Sequence, residues 1–147
     1  MIYMDKLEVI KDKFKNDNFA MNLGVKLDDL TENYVKMHMI LKSDMNNFYG
    51  RPHGGAIYSL ADAAFSVIGN NQNIISVALD CTITYHASPN PGEILYVEGK
   101  LLKSTRKIST FIFTLYTLNG GDQNLIATML STLYRTGRAI NPDLIED

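Results

Sequence analysis

Residues 54–69 are the stretch of this chain that most constrains its fold, because they are apolar on almost every side of a helix. The segment reads GGAIYSLADAAFSVIG and keeps many of its side chains small. A helix that is apolar all round is buried all round, and small side chains let neighbouring elements approach closely. The segment therefore predicts one long helix that is enclosed by the rest of the molecule.

The other periodic segments predict strands. The clearest alternation spans 34–41, and it follows a less distinct strand. Further strands are expected near 74–87, 93–103, 108–118 and 124–135. In the first of these, alternation groups Val77, Leu79, Cys81, Ile83 and Tyr85 on one face. The later strands exceed the usual length of about five or six residues, and long antiparallel strands twist and curl. We therefore expect an α+β fold in which a curved antiparallel sheet of five or six strands wraps the central helix.

Length and composition predict a single domain over residues 1–147. The chain has 147 residues, of which 46% are hydrophobic, and this suffices for one core. Near 4–15, Leu7, Ile10 and Phe14 recur at spacings of three and four, which predicts a short amphipathic helix.

Charge and cysteine content exclude several classes of protein. The net charge of −2 gives no general attraction to nucleic acid or to an anionic membrane. A single cysteine, Cys81, cannot form a disulfide within the chain, and the N-terminal residues lack the pattern of a signal peptide. We expect a cytoplasmic protein with neither nucleic acid nor membrane as a partner.

Two glycines open the central helix. The first N–H groups of a helix have no internal partner, and the aligned peptide dipoles give them partial positive charge. Gly54 and Gly55 leave these groups open to an approaching oxygen, so the helix start is a candidate oxyanion site. The alternative is a tight turn that only needs the flexibility of glycine.

Asp62 is a carboxylate in the middle of this otherwise apolar helix. Asp is a poor helix former, and burial of an ionised carboxylate is costly unless the group is paired. The position indicates a functional group, and we expect partial burial to raise its pKa. The alternative is a narrow wet stripe along the helix that also carries Tyr58 and Ser59.

Asn47 and His53 lie in the loop that precedes the helix. The simpler interpretation makes Asn47 a turn residue and His53 a helix cap. Together with Gly54 and Asp62, however, they supply the parts needed for acyl transfer to water: an amide for the carbonyl oxygen, a base for water, and a group to orient either.

The spacing of these residues resembles a known family. The string N-x-x-G-x-x-H-G-G followed by L-A-D is similar to the signature of the PaaI-type thioesterases, a branch of the hotdog-fold 4-hydroxybenzoyl-CoA thioesterase superfamily. The matching positions are Asn47, Gly50, His53, Gly54, Gly55, Leu60, Ala61 and Asp62. The resemblance extends over roughly residues 20–137.

The resemblance implies hydrolysis of an acyl-coenzyme A thioester, with neither a metal nor a redox cofactor. Gly54 would polarise the thioester carbonyl, and Gly55 would belong to the same substrate-binding helix start. Asp62 would act as a general base, or as a nucleophile that forms a transient anhydride. Asn47 would place water or the carbonyl, and His53 would orient the loop and assist polarisation.

The resemblance also implies a homodimer or homotetramer with its site at a subunit interface, where Asp62 of one subunit faces Asn47 and Gly54 of the other. Some relatives steady the water with a serine or threonine in the next strand, where this chain has Ala78.

A basic cluster at Lys103, Arg106 and Lys107 has two interpretations. In the resembled family this region can meet the phosphates of coenzyme A, which suits Lys and Arg. The alternative is a solvated hairpin tip.

Two other functions stay open on the same fold. One is a hydratase or dehydratase that acts on acyl thioesters, and the other is a non-catalytic acyl-CoA-binding protein.

Overall fold

The computed structural model describes residues 5–144. Two short helices, α1 (Lys6–Phe14) and α2 (Asn18–Leu23), precede two strands, β1 (Lys26–Leu30) and β2 (Tyr34–Ile40). A 3₁₀ turn (Ser43–Met45) and a loop lead to the long helix α3 (Gly54–Gly69). Four long strands complete the chain: β3 (Ile74–Tyr85), β4 (Ile94–Ser104), β5 (Ile108–Asn119) and β6 (Asp122–Ala139). The expected ranges 4–15 and 1–147 both include residues outside the described part.

The six strands form one sheet in the order β1-β2-β4-β5-β6-β3, and every neighbouring pair is antiparallel. One face of the sheet packs against α3. Leu60, Ala61 and Ala64 of the helix have no exposed surface, and neither do Met37 and Phe113 on the strands. The predicted α+β hotdog fold is therefore confirmed, with the apolar helix enclosed by the sheet.

Small residues on α3 permit this close packing. At Gly69, the last residue of the helix, a Cβ atom would lie 2.7 Å from a methyl carbon of Leu133 on β6. Asn70 then caps the helix, with its N–H donating to the carbonyl of Val67. The C-terminal end of α3 therefore packs directly against β6.

The last strand in the sheet order, β3, is an edge strand with a bulge. The pairing with β6 steps from Ala78 opposite Leu133 to Asp80 opposite Thr132, so Leu79 is an extra residue. Cross-strand partners share a face, and Leu133 is buried. Ala78 therefore faces α3 although the expected alternation placed it on the opposite face.

Beyond the bulge, from Cys81 to Tyr85, the side chains point to the faces that the alternation predicted. Cys81 and Ile83 pack against the core, and Tyr85 reaches the start of α3. Val77 and Leu79 are about half exposed, with 46% and 57% of their surfaces accessible.

None of the helices within residues 5–144 is long and apolar enough to cross a membrane.

Candidate active site

The loop before α3 is held in shape by Asn47. Its side-chain oxygen Oδ1 accepts hydrogen bonds from the N–H groups of Tyr49 (2.9 Å) and Arg51 (3.2 Å). Its carbonyl accepts from the N–H of Gly50, whose φ of 72° is one that glycine adopts freely. Asn47 is thus a turn residue, as the simpler interpretation expected. Its Nδ2 donors have no acceptor within residues 5–144, so they can serve a bound molecule.

Arg51 fastens this loop to the turn that follows β3. Its Nε donates to Ser88 Oγ (3.2 Å), and Nη1 donates to Asn90 Oδ1 (3.0 Å). Nη2 donates to the carbonyls of Ser88 (3.2 Å) and Pro89 (2.8 Å). The sequence analysis did not identify Arg51, because its partners lie about forty positions away and no local pattern indicates them.

His53 is the N-cap residue of α3. Its φ and ψ of −67° and 138° are extended, and its Nδ1 accepts a hydrogen bond from the N–H of Gly55 at 2.8 Å. A nitrogen that accepts carries no proton, so a neutral ring holds its proton on Nε2. Nothing in the described chain accepts a hydrogen bond from Nε2. His53 therefore caps the helix and can also present a donor.

The cap at Gly55 leaves Gly54 as the open amide of the helix start. The Gly54 N–H has no hydrogen-bond acceptor among the described residues, while its carbonyl accepts from the hydroxyl of Tyr85 at 2.9 Å. A Cβ at Gly54 would lie 3.4 Å from the ring and hydroxyl of Tyr85, an ordinary contact. Glycine is therefore not required here for packing. A free N–H at the positive end of a 16-residue helix suits an oxygen that gains negative charge.

Tyr85, like Arg51, was not identified from the sequence as part of the site. An alternating strand gives no sign that its last residue reaches the start of a distant helix.

Asp62 lies two turns further along α3 and has no partner of opposite charge. Its carboxylate makes neither a hydrogen bond nor an ion pair within the part of the chain that the structure describes. Burial raises its pKa above the ordinary 3.8, and repulsion from Asp17 adds to the shift. The raised pKa expected for this residue is thereby found, and it makes the carboxylate a better base near neutral pH. One turn earlier, a hydrogen bond to Cys81 raises the pKa of Tyr58 to about 12.

Within one chain the open amide and the carboxylate are too far apart to act on the same carbon. Eight residues separate Gly54 from Asp62 on α3, and at 1.5 Å per residue this is a rise of about 12 Å. The amide must contact the carbonyl oxygen, and the base must contact the water that attacks the carbon, so both groups must face the same small space. The structure of a single chain thus holds the parts of a site without bringing them together.

Two of the three predicted phosphate-binding residues meet in a cavity at the other end of the sheet. Arg106 and Lys107 line a space of about 410 Å³ together with Arg135, and no carboxylate lines it. Lys107 also lies over the ring of Tyr134, with its Nζ 5.9 Å from the centroid. Lys103 does not line this cavity, so the predicted cluster is only partly assembled.

Residues 5–144 contain no group of three or more His, Cys, Asp and Glu side chains arranged to hold a metal ion. The expectation that the protein works without a metal or redox cofactor stays a prediction.

Comparison with known proteins identifies the family to which this chain belongs. Residues 49–123 match the family model described as "Thioesterase superfamily". A putative esterase of Archaeoglobus fulgidus is 31% identical over 137 residues, covering 92% of this chain and 87% of that protein. The acyl-coenzyme A thioesterase PaaI of Escherichia coli is 27% identical over 127 residues, or 86% of this chain and 89% of the relative.

Solved structures share the fold. The E. coli PaaI protein superimposes with a TM-score of 0.87 at 23% identity, over 93% of this chain and 97% of the other. A hypothetical thioesterase of Streptococcus pneumoniae, solved with coenzyme A, gives a TM-score of 0.78 at 17% identity, over 87% and 98% of the two chains. The matched segment contains most of the signature, from Gly50 to Asp62. The chain therefore belongs to the thioesterase superfamily, as a hotdog-fold thioesterase of the PaaI type.

Proposed function

We propose that the protein hydrolyses acyl-coenzyme A to a carboxylic acid and free coenzyme A, at a site shared by two copies of the chain. The observation that carries this proposal is the open Gly54 amide at the start of α3, combined with the unpartnered Asp62 carboxylate on the same helix. Within residues 5–144 the Gly54 N–H lacks a hydrogen-bond acceptor, and the Asp62 carboxylate lacks a hydrogen-bond donor. Both groups are therefore available to a substrate.

A dimer through β3 would unite these groups. β3 is a 12-residue edge strand with a free line of backbone N–H and C=O groups, and exposed edges of this kind pair readily with another strand. Tyr85, at the end of β3, contacts Gly54, and Ala78, in the first half of the strand, lines the same cavity as Asp62. Antiparallel pairing of two β3 strands about a twofold axis sets opposite ends of the strands side by side. Gly54 of one subunit would then approach Asp62 of the other.

The reaction follows from the donors and acceptors left open. The thioester carbonyl oxygen accepts from the Gly54 N–H and gains stabilisation from the helix dipole as it becomes an oxyanion. Asp62 of the other subunit takes a proton from water while the water oxygen bonds to the carbonyl carbon. The tetrahedral intermediate collapses, the carbon–sulfur bond breaks, and the proton held by Asp62 goes to the departing thiolate. Asn47 Nδ2 and His53 Nε2–H supply further donors that orient the carbonyl.

The phosphates of coenzyme A are proposed to bind Arg106 and Lys107. Their cavity contains three cationic side chains and no acidic one, and Arg and Lys are well suited to phosphate. The reaction needs no metal and no redox cofactor, and we assign it to the cytoplasm.

The primary experiment measures thiol release from a panel of acyl-CoA thioesters. Wild type is compared with Asp62→Asn and Asn47→Ala, each checked for folding by circular dichroism. We expect turnover by wild type, a loss of roughly 10²-fold or more in Asp62→Asn, and a smaller loss in Asn47→Ala. Folded Asp62→Asn protein with undiminished hydrolysis would refute the mechanism. Hydration of an enoyl-CoA without thiol release would favour a hydratase, and tight binding without turnover would favour a binding protein.

A second experiment tests the shared site. Two inactive variants, Asp62→Asn and Gly54→Pro, are co-expressed or unfolded together and refolded. A heterodimer carries one site with both intact groups, so random mixing should restore about a quarter of wild-type activity. If each site were built within one chain, the mixture would stay inactive.

A further inference from the structure

A cavity of about 210 Å³ opens beside Asp62, between α3 and the first half of β3. Asp62 lies at one end of it, and Gly69 and Leu133 lie at the other. Seven residues of α3 separate Asp62 from Gly69, so the cavity runs about 10 Å along the helix. If Asp62 acts at the carbonyl carbon, this space lies where the acyl group of the substrate would extend.

The far end of the cavity is closed by the chain's own core. Phe65 and Leu133 are only 4% and 2% exposed, and Leu133 lies so close to Gly69 that even a Cβ there would clash. Gly69 and Leu133 of the same subunit therefore bound the end of the cavity that lies away from Asp62.

The bulge in β3 creates the space. Because Leu79 is the extra residue, Ala78 faces α3 in register with Leu133. A methyl group at this position fills little of the gap between strand and helix. A larger side chain would project into the cavity.

Apart from Asp62, the polar side chains that line the cavity already have hydrogen-bond partners. Asn70 Nδ2 donates to the carbonyl of Ser66 (2.8 Å), and Asn70 Oδ1 accepts from the N–H of Ser76 (2.8 Å). The hydroxyl of Ser66 donates to the carbonyl of Ala63 (2.8 Å). A ligand thus meets no unpaired side-chain amide that an apolar group would leave unsatisfied.

We propose that this cavity receives the acyl group and restricts the enzyme to compact, apolar acyl groups of about eight carbons or fewer. A zigzag chain of ~1.5 Å bonds advances about 1.25 Å per carbon, so a 10 Å cavity accommodates about eight carbons. The volume agrees, since an apolar cavity of ~150 Å³ suffices to hold benzene. This inference rests on the proposed thioesterase function.

The test is the dependence of kcat/KM on acyl length, with acetyl-, butanoyl-, hexanoyl-, octanoyl-, dodecanoyl- and hexadecanoyl-CoA. For wild type we expect a rise of up to about fourfold for each methylene that the cavity buries. The rise should end near octanoyl, and dodecanoyl-CoA should be roughly tenfold poorer. Equal or better turnover of dodecanoyl- and hexadecanoyl-CoA would overturn the length limit.

Two variants narrow the cavity from opposite walls: Ala78→Leu on β3 and Ser66→Leu on α3. Each should lower the ratio of kcat/KM for octanoyl-CoA to kcat/KM for acetyl-CoA roughly tenfold. The matched control is Thr82→Leu, which adds similar bulk on the outer face of β3, where Thr82 pairs with the exposed Leu130. The control should keep the wild-type length profile.

The outcomes separate this inference from the function on which it rests. An unchanged length profile in both folded cavity variants would overturn the cavity assignment while leaving the thioesterase intact. A uniform loss across all acyl lengths would do the same. Absence of thiol release from every acyl-CoA would overturn the proposed function itself, and this inference with it.

Discussion

Replacing Gly54 with proline should delete the proposed oxyanion donor without disturbing the helix that carries it. Gly54 is the first residue of α3, where proline is favoured because its fixed φ suits the helix and its missing N–H is unpaired anyway. The preceding residue, His53, has φ −67° and ψ 138°, which is the extended conformation that proline imposes on its neighbour. No hydrogen bond within residues 5–144 is lost.

The expected changes in stability and in activity have opposite signs. Proline in place of glycine at a compatible position stabilises a protein by about 0.4–1 kcal/mol, through the unfolded chain. For a chain of this length that is a rise of about 1–4 °C in Tm. Removal of one oxyanion donor costs about 10²–10³ in kcat, or roughly 3–4 kcal/mol of transition-state stabilisation.

The assay combines thermal unfolding with thiol release at saturating acyl-CoA. Gly54→Ala is the matched control, because it keeps the N–H and adds only a Cβ in ordinary contact with Tyr85 at 3.4 Å. We expect the alanine variant to lose much less activity than the proline variant. A folded Gly54→Pro protein with wild-type kcat would show that this amide does not bind the oxyanion.

Three further predictions test other parts of the site. Because the pKa of Asp62 is raised above 3.8 on folding, its ionised form destabilises the protein at neutral pH. Asp62→Asn should therefore have a higher Tm than wild type at pH 7, and this difference should vanish below pH 3.8. A difference in Tm that is independent of pH would contradict this prediction. Arg51→Lys loses the fork that holds Ser88, Pro89 and Asn90, so kcat/KM should fall roughly tenfold with a change in Tm of only about 2 °C. A fall in Tm that accounts for the whole activity loss would argue for a purely structural role. The double variant Arg106→Ala, Lys107→Ala should raise KM for acyl-CoA several-fold at low salt. It should not raise KM for acyl-pantetheine, which lacks the nucleotide phosphates. Equal effects on both substrates would exclude phosphate binding by these two residues.

The sequence predicts those parts of the fold that depend on local periodicity. The apolar segment 54–69 coincides with α3, because a helix apolar on all sides can only be the enclosed element. The long strands also lie where alternation indicated, although β6 extends to Ala139, beyond the expected 135. Strand order was not predictable, because alternation shows which face is buried but not which strands are neighbours.

The sequence indicates the candidate site residues but not the contacts that they make. The signature indicated Asn47, His53, Gly54 and Asp62, whereas the hydrogen bonds that distinguish Gly54 from Gly55 depend on the ring position of His53. Both simpler interpretations are confirmed, since Asn47 shapes the turn and His53 caps the helix, while their catalytic roles stay predictions. The hydrogen bonds of Arg51 could not be predicted, because its partners are distant in the sequence.

The extra residue in β3 determines which side chains of that strand share a face. Its first half turns Ala78 toward the helix on one phase, and its second half turns Tyr85 toward Gly54 on the other. Ala78 and Tyr85 are seven positions apart and would lie on opposite faces of a regular strand, whereas deletion of Leu79 would leave regular alternation with both side chains still facing α3. Functional descendants of this sequence should therefore tolerate the loss of Leu79, which removes the bulge and leaves the pairing with β6 unchanged on either side of it.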